Sequence, residues 1–283
     1  KVAWVDPSHP TVQEYNLAIA RELAEMGVDE IQFDYIRFPT KKNIEYAFGP
    51  DGQSTPRDKI ITDFLAQAQN ELAPYEVLLS IDVFGIIAWG RSEDIEMTGQ
   101  KIEDLARHCD VVSPMIYPSH FHTPFQGIAN PNDQPYLLVS ETCERFARFL
   151  SNSQATLRPW IQAFPLGTNH FDEDYVLEQL RALDGSRARG WLLWSAGNKY
   201  EVAWKALAQG EDVPLETTIS VSLYFDDSPG YFMNPLLRPQ IWTSFRASSG
   251  FGPCDVPFRY ASEPSPCGYP VARPSSWSRD SNS

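Results

Sequence analysis

Asp29-Glu-Ile-Gln-Phe-Asp-Tyr-Ile-Arg-Phe-Pro39 has the pattern of a buried strand, and the rest of the 283-residue chain can be interpreted from it. Ile31 and Phe33 lie on one face under the period of two of a β-strand. Gln32 and Asp34 lie on the other face. The segment is too apolar for a solvated edge, so both faces should be buried. A barrel strand meets this condition, because one face packs on helices and the other points into the barrel.

Asp34 is placed near the C-terminal end of this predicted strand, where barrel enzymes carry their catalytic groups. Pro39 ends the strand because proline has no N–H to donate. A structural carboxylate, bonded to an arginine or to loop N–H groups, is the alternative for Asp34. Buried carboxylates cluster at functional sites without being confined to them, so the strand alone leaves both interpretations open.

Four more strand–helix units follow this one. The predicted strands begin at Asp29, Glu76, Asp110, Arg158 and Gly190. The predicted helices cover 8–27, 57–72, 100–108, 136–150, 172–183 and 201–208. This spacing is typical of a parallel sheet with right-handed crossovers. We favour a TIM barrel over a doubly wound sheet, because every strand carries inward polar or aromatic residues at its C-terminal end, whereas an open sheet gathers its site at one switch point.

The second predicted strand, 76–85, repeats the arrangement of the first. Leu79, Ile81 and Val83 would face helices. Asp82 would face inward near the C-terminal end, in the same structural place as Asp34. A carboxylate bonded to the following turn is the alternative for Asp82, and its pairing with Asp34 favours function.

The composition changes near Val213, where serine, proline, glycine and aromatic residues replace the helical period. We therefore predict two regions: an incomplete (β/α)8 barrel portion over 1–210 and an irregular tail over 211–283. One strand is predicted in the tail, at 219–225. After Gly250 the tail is predicted to be loop-like, disordered or part of an appended domain.

Charge and aromatic content limit the class of ligand. The net charge of -14 and the pI near 4.7 argue against nucleic acid and anionic membranes as partners. The aromatic content of 13% suits a carbohydrate, because ring faces bury the C–H surface of sugars, although a large barrel also holds many aromatic residues as packing. No apolar run is long enough to span a bilayer.

The four cysteines give a limited indication of compartment. Cys109 and Cys143 fall in predicted helices and are expected to be buried thiols. Cys254 and Cys267 flank a loop in the tail and could pair in an exported protein. No cysteine–histidine cluster indicates zinc, and no metal or cofactor is predicted. The chain opens on Lys1 without an initiator methionine, so we expect a missing leader and an extracellular or cell-envelope location.

Seven short phrases, taken together and in this order, resemble the "putative glycosyl hydrolase domain" family of bacteria and archaea, a relative of TIM-barrel glycosidases. The phrases are Trp4-Val-Asp-Pro7, Tyr15-Asn16, Asp29-Glu-Ile-Gln-Phe-Asp-Tyr-Ile-Arg-Phe-Pro39, Ser80-Ile-Asp-Val-Phe-Gly85, Ser113-Pro-Met-Ile-Tyr-Pro-Ser-His120, Arg158-Pro-Trp-Ile-Gln162 and Trp191-Leu-Leu-Trp194. The resemblance covers about residues 1–207. It implies that the five strands are strands four to eight of the barrel and that the first three are absent. The open edge should then be exposed or covered by the tail.

The resemblance also implies the chemistry. Glycosidases use one carboxyl group as acid and another as nucleophile or base. By analogy with related barrel glycosidases, Asp34 is the candidate nucleophile or transition-state stabiliser and Asp82 the candidate acid/base, although the two roles could be reversed. The acid must hold a proton, so burial or the other carboxylate should raise its pKa. Family members commonly carry aspartate after Gln162, where this chain has Ala163, so one candidate carboxylate is missing.

Further residues are candidates for binding the substrate: Tyr35, Arg37, Tyr117, His120, Trp160, Gln162 and Trp194. Arg37 could orient a carboxylate or bind a sugar oxygen, or else form a surface ion pair. His120 could bond a sugar or, alternatively, the loop backbone, and His122 is a weaker candidate. The two tryptophans could stack on a sugar or simply pack, and Gln162 could bond a hydroxyl group.

Three functions follow, in order of preference. The first is a glycoside hydrolase acting on a polysaccharide, with a carbohydrate as its partner. The second is a non-catalytic carbohydrate-binding barrel, motivated by Ala163 and the missing strands. The third is a metal-dependent lyase or aldolase using Asp34, Asp82 and His120, ranked last because the sequence has no glycine-rich phosphate loop. The carboxylates at strand starts (Asp29, Glu30 and Asp110) are excluded as catalytic, and the sequence specifies neither the sugar nor the oligomeric state.

Overall fold

The computed structural model describes residues 3–40 and 55–209, together with the backbone of 215–223, 226–227 and 241–247. The strands are β1 (Ala3–Trp4), β2 (Glu30–Phe33), β3 (Leu78–Phe84), β4 (Val111–Ile116), β5 (Thr156–Leu157), β6 (Trp160–Gln162), β7 (Leu192–Trp194), β8 (Leu215–Leu223), β9 (Asp226–Asp227) and β10 (Ile241–Ala247). The α-helices are α1 (Pro10–Glu25), α2 (Arg57–Leu72), α3 (Ser92–Thr98), α4 (Ile102–Leu105), α5 (Pro135–Phe149), α6 (Glu173–Asp184) and α7 (Glu201–Gln209).

The central sheet has the predicted parallel order. Strands β2, β3, β4, β6 and β7 are neighbours in that sequence, and every pair among them is parallel. Gln32 lies opposite Ser80, and Asp82 lies opposite Ser113, so polar side chains face one another across the strands. Helices separate the strands along the chain. The fold is therefore the α/β half-barrel of an incomplete TIM barrel, as the sequence predicted.

Strands from the tail cover the edge of the sheet at β2. Strand β8 pairs in parallel with β2, and β10 pairs antiparallel with β8. The strand predicted at 219–225 is observed as Leu215–Leu223. Residues of β10 come within 8 Å of β7 between Cα atoms, so the sheet curls around. The segment after Gly250 lies outside the described residues, and the division at 210 stays a prediction.

Helices α1 and α2 cover the outer face of β2 and β3. Leu17 and Ala20 of α1 are buried at helical spacing, and Gly27 ends that segment with a φ of +81°, which glycine adopts readily. Phe64 of α2 meets Phe33 edge to face, with ring centroids 5.3 Å apart. Each fully buried side chain of this kind contributes about 1.5–3 kcal/mol to the hydrophobic stabilisation of the fold. Helix α2 has the bounds that the sequence predicted.

The segment between β3 and β4 differs from the prediction. A helix was expected over 100–108, whereas the structure has a 3-10 turn at Gly85–Trp89, then α3, then the single-turn α4. Gly90 and Gly99 adopt φ values of +61° and +79°, which break the segment into short pieces. Elements of four to seven residues are too short to show a helical period.

The two cysteines in the described residues are buried and unpaired with each other, as expected. Cys143 lies in α5, and burial raises the pKa of its thiol to about 12. Cys109 lies in the irregular connection between α4 and β4 rather than in a helix, and burial also raises the pKa of its thiol well above its ordinary value. Cys254 and Cys267 lie outside the described residues.

Candidate active site

Asp34 is the first residue after β2 rather than part of a strand reaching Pro39. The strand ends at Phe33 because Tyr35 takes a left-handed backbone with a φ of 52°, which is incompatible with the ladder. The turn is compact: Tyr35 N donates to Asp34 Oδ1 at 2.6 Å, and Arg37 N donates to Tyr35 O at 2.7 Å. A backbone strain of this kind is common at functional sites, and here it holds the Asp34 carboxyl at the C-terminal edge of the sheet.

Asp82 lies beside Asp34 on the neighbouring strand. The last paired residues of β2 and β3 are Phe33 and Ile81, and the two aspartates follow one step further along each strand. Adjacent strands are about 4.8 Å apart. Asp82 is only 2% exposed and Asp34 8% exposed, so both carboxyl groups are largely withdrawn from water. The structure therefore brings the two predicted carboxylates together.

Two neutral donors hold the Asp82 carboxyl. Trp160 Nε1 donates to Asp82 Oδ1 at 2.7 Å, and Gln32 Nε2 donates to the same oxygen. Because Oδ1 already accepts both N–H groups, a proton on this carboxyl is best accommodated on Oδ2. Sequence analysis did not assign Gln32 to the site. Its position two residues before Asp34, on the inward face of a buried strand, was the available signal.

The environment raises the pKa of Asp82 well above its ordinary value. Burial is the main cause, because removing water disfavours the charged form, and the negative charge of Asp34 adds to it. The hydrogen bonds from Trp160 and Gln32 and the positive charge of Arg158 act in the opposite direction. Asp82 thus has the property expected of a group that holds a proton.

Arg37 is enclosed by aromatic rings. Its Cζ lies 4.7 Å from the ring centroid of Trp4, 5.0 Å from Tyr35 and 4.3 Å from Phe84. The side chain is 7% exposed, and Nη1 donates to Phe38 O at 3.1 Å. Arg37 is therefore buried among aromatic rings rather than placed at the surface, and cation–π contacts replace part of the water around its guanidinium.

An aromatic group lines the loops after β4 and β6. The ring centroid of Tyr117 lies 5.1 Å from His120 and 5.7 Å from Phe164. These three residues form the rim of the site. Tyr117 is buried, Phe164 is half-buried and His120 is exposed. Neighbouring groups displace part of the solvent around its ring, and this desolvation lowers the pKa of His120, which favours a neutral imidazole. Phe164 was missed by sequence analysis, because a single phenylalanine after a strand is indistinguishable from core.

The predicted strand over 110–120 ends at Ile116 and is followed by a 3-10 turn, Pro118–His120. Proline at 118 supplies no N–H to continue the ladder. His122 Nδ1 lies 2.6 Å from Pro124 O, so His122 is the histidine of this loop that bonds to backbone.

Gln162 fastens two loops to each other. Its Nε2 donates to the carbonyl oxygens of Phe164 at 2.9 Å and Leu166 at 3.0 Å, and its Oε1 accepts from Ser119 N at 3.0 Å. The side chain has no exposed surface. Its amide, predicted as a ligand for sugar hydroxyls, is instead bonded to backbone, because the strand directs it into the protein.

The two candidate stacking tryptophans differ in burial. Trp160 is 4% exposed and directs its N–H to Asp82. Trp194 is half-buried and meets Trp160 edge to face, with centroids 6.0 Å apart. Trp160 therefore serves as a buried hydrogen-bond donor to Asp82, whereas Trp194 keeps part of its ring surface exposed.

Ala163 does not face the barrel interior. It is 1% exposed and packs with Val176 of α6 and with Ala203 and Ala206 of α7. The departure from the family's aspartate therefore removes no side chain from the interior in this structure, because position 163 lies on the helix-facing side of the sheet.

The strand starts carry carboxylates with structural partners. Glu30 has no exposed surface and is bonded to Arg158 by two contacts, of which Nη1 to Oε2 measures 2.8 Å. Asp110 Oδ2 accepts from Leu79 N at 2.8 Å. Both groups serve the fold at the end of the barrel opposite Asp34 and Asp82.

Other features of the described residues lie apart from this site. A surface groove runs between α5 and the loop at 185–187, and none of the site residues lines it. Across residues 3–40 and 55–209, no group of three histidine, cysteine, aspartate or glutamate residues is arranged to hold a metal ion, so Asp34, Asp82 and His120 form no such group. Among the helices that the structure describes, none is both long and apolar enough to cross a membrane.

Several solved structures are similar to this one at low sequence identity. The glycoside hydrolase domain of PgaB (BpsB) from Bordetella bronchiseptica is 14% identical, with a TM-score of 0.50 over 74% of this chain and 64% of that one. The spore cortex-lytic enzyme SleL of Bacillus megaterium is 12% identical, with a TM-score of 0.48 over 73% of this chain and 56% of that one. A GH18 chitinase from Pseudoalteromonas aurantia is 14% identical, with a TM-score of 0.42 over 70% of this chain and 69% of that one. The chain spans less than two thirds of the length of the first two structures.

Comparison with curated protein sequences returned no significant match. A family model described as "Putative glycosyl hydrolase domain" matches residues 1–200, which contain Asp34, Asp82 and the rim formed by Tyr117, His120 and Phe164. This range confirms the resemblance drawn from the seven sequence phrases, and the chain belongs to that family of glycosyl hydrolase domains.

Proposed function

We propose that this protein is a glycoside hydrolase that cleaves a polysaccharide with Asp34 and Asp82. One observation carries the proposal: two carboxyl groups lie on neighbouring strands at the C-terminal edge, and burial and Asp34 raise the pKa of Asp82. A glycosidase needs one protonated and one ionised carboxyl group at neutral pH, and unequal environments supply that difference.

Asp82 is the acid in this mechanism. Its Oδ1 is occupied by Trp160 and Gln32, so Oδ2 carries the proton and delivers it to the oxygen of the departing sugar. The C–O bond breaks as the O–H bond forms. The resulting Asp82 carboxylate then takes a proton from the attacking water.

Asp34 is the ionised partner. The hydrogen bond from Tyr35 N favours the charged form of its carboxyl. It either bonds to the anomeric carbon or stabilises the oxocarbenium-like transition state.

The rim after β4 and β6 would bind the sugar chain. Half-buried Phe164 and Trp194 offer ring surface, and exposed His120 offers a neutral imidazole for a hydroxyl group. Tyr117 packs beneath the imidazole. We assign Gln162 to positioning these loops rather than to contacting the substrate.

Tyr35 and Arg37 lie in the turn that follows Asp34. The Arg37 guanidinium lies among the rings of Trp4, Tyr35 and Phe84, where it can orient a sugar oxygen. The net charge of -14 favours a neutral polysaccharide over a polyanion. Polysaccharides of cell envelopes and biofilms lie outside the cytoplasm, and with a substrate of that class we propose an extracellular or cell-envelope location.

Hydrolysis of a panel of neutral and amino-sugar polysaccharides tests the proposal, with released reducing ends as the readout. The wild-type protein should release them from at least one member. Asp34→Asn and Asp82→Asn should each lose about 10²–10⁴-fold in rate while remaining folded. Asp63→Asn is the matched control, because Asp63 is an exposed carboxylate on α2, and it should retain full activity.

Two results would contradict the proposal. Activity that survives both active-site changes would exclude the carboxylate pair. Retained binding of a polysaccharide without any release of reducing ends would favour the carbohydrate-binding module instead.

A further inference from the structure

Gln100 is a buried amide between α3 and α4 that was not part of the predicted site. It has no exposed surface. Its Oε1 accepts from Phe84 N at 3.0 Å, and its Nε2 donates to Asp82 O at 3.2 Å and to Ile36 O at 3.3 Å. A buried amide with three backbone partners restricts the chains that it joins.

The chains joined by Gln100 are the two that carry the catalytic carboxyl groups. Ile36 lies two residues after Asp34, and Asp82 is bonded at its own carbonyl. The ladder between β2 and β3 has its last pair at Phe33 and Ile81, just before both aspartates. Beyond that pair, the Gln100 side chain supplies the cross-strand connection that main-chain hydrogen bonds no longer provide.

The segment around Gln100 is itself held in place. Thr98 Oγ1 accepts from Gln100 N at 3.1 Å and donates to Asp94 O at 2.7 Å. Phe38 N donates to Thr98 O at 2.8 Å, which ties the loop after Asp34 to the same segment. Gly99 adopts a φ of +79°, and a Cβ there would lie 2.8 Å from Arg57 O, so this close approach requires glycine.

We propose that Gln100 is a positioning residue that fixes the separation of the Asp34 and Asp82 carboxyl groups by joining the main chains on which they stand. Its effect on reaction rate rests on the proposed glycosidase function. Its effect on the distance between the carboxyl groups does not, so the two can be tested separately.

Gln179 provides a matched control within the same protein. It is also fully buried, accepts from Gln162 N at 2.9 Å, and donates to Gln162 O at 3.0 Å and Tyr175 O at 3.3 Å. Gln179 thus has the same one-acceptance, two-donation pattern, but it joins α6 to β6 and bonds neither aspartate-bearing chain. Gln100→Met and Gln179→Met remove equivalent hydrogen bonds.

The test measures the pKa of Asp82 by NMR of its side-chain carboxyl carbon. In an otherwise wild-type background, Asp34→Asn should lower the pKa of Asp82, because a like charge is removed. The same change should lower it less in the Gln100→Met background, where the carboxyl groups are no longer held together. In the Gln179→Met background, the lowering should equal that of wild type. This difference isolates the coupling between the two carboxyl groups from general loosening of the fold.

Thr98→Val is the second variant, and it removes the hydroxyl that accepts from Gln100 N. If Gln100→Met does not fold, Thr98→Val tests whether this segment sets the coupling between the two carboxyl groups. It should reduce the coupling in the same direction. In the hydrolysis assay, Gln100→Met should lower kcat by about 10²-fold with KM nearly unchanged, as expected for a misplacement of about 1 Å. Equal coupling in wild type, Gln100→Met and Thr98→Val would overturn the proposal. Reduced coupling in a protein that hydrolyses nothing would leave it standing and reject only the glycosidase function.

Discussion

Glu30 and Asp82 are both buried carboxyl groups on neighbouring strands, yet their partners are opposite in kind. Glu30, at the start of β2, is paired with the guanidinium of Arg158. Asp82, toward the end of β3, accepts hydrogen bonds from neutral donors and lies beside a second carboxylate. Burial alone therefore does not identify a catalytic carboxyl. Glu30 has a cation as its direct partner, whereas at Asp82 burial, together with the negative charge of Asp34, raises the pKa of the carboxyl.

The largest expected effect comes from replacing Asp82. Asp82→Asn should lower the rate of hydrolysis by about 10²–10⁴-fold, because the proposed proton donor is lost. The asparagine oxygen can still accept from Trp160 and Gln32, so the variant should fold. The unfolding free energies of the variant and the wild type would be measured with urea at several pH values. The difference, variant minus wild type, should become more positive as the pH increases.

The sign of that pH effect follows from the raised pKa of Asp82. The folded protein binds the proton more tightly than the unfolded chain, whose aspartate titrates near 3.8. The resulting stabilisation is complete below that pH and is lost as the pH rises toward the folded-state value. The Asp82→Asn variant has no titrating carboxyl at this position, so its unfolding free energy lacks this pH-dependent contribution. A stability difference independent of pH between 4 and 8 would contradict the raised pKa.

Replacing Glu30 should have the converse result. Glu30→Gln leaves the buried guanidinium of Arg158 without its counter-ion, which should lower the unfolding free energy by about 3–5 kcal/mol. Hydrolysis per folded molecule should stay within about tenfold of wild type. Urea denaturation and active-site titration measure the two quantities. A stable but inactive variant would place Glu30 in the chemistry and remove the contrast with Asp82.

A smaller effect is expected at Trp160. Trp160→Phe keeps the packing but removes the N–H that stabilises the charged form of Asp82. The pKa of Asp82 should therefore rise further, and the basic limb of the pH–rate profile should move to higher pH. The loss of rate at the optimum should be smaller than for Asp82→Asn. Trp194→Phe is the control, since its indole is not bonded to Asp82, and its profile should keep the wild-type limbs.

The smallest effect is expected at the rim. Phe164→Ala should weaken binding of an oligosaccharide by about 3–10-fold, the range for one aromatic contact, without moving the pH profile. Isothermal titration on the Asp82→Asn background avoids turnover. Tyr136→Ala is the control, because Tyr136 is an exposed aromatic on α5, outside the rim. Equal weakening by both changes would argue against a binding role for the rim.

Long periodic segments were predictable from the sequence. Helix α2 has its predicted bounds, and the alternation around Asp34 and Asp82 placed both carboxyl groups on the inward face. The end of β2 was not predictable, because bulky residues such as Tyr35 rarely adopt a positive φ, here 52°, and no sequence pattern indicates it. The burial of Arg37 was also missed, since arginines are rarely buried and its three aromatic neighbours come from different segments.

The dependence of hydrolysis on the leaving group tests the assignment of the acid most directly. The first turnover would be compared on the polysaccharide that the panel identifies and on the dinitrophenyl glycoside of the same sugar, whose leaving group needs no proton. If Asp82 is the acid, Asp82→Asn should lose about 10²–10⁴-fold on the polysaccharide and far less on the activated glycoside. Asp34→Asn should be slow on both. An Asp82→Asn variant that slows both substrates equally would contradict the role of Asp82 as the proton donor.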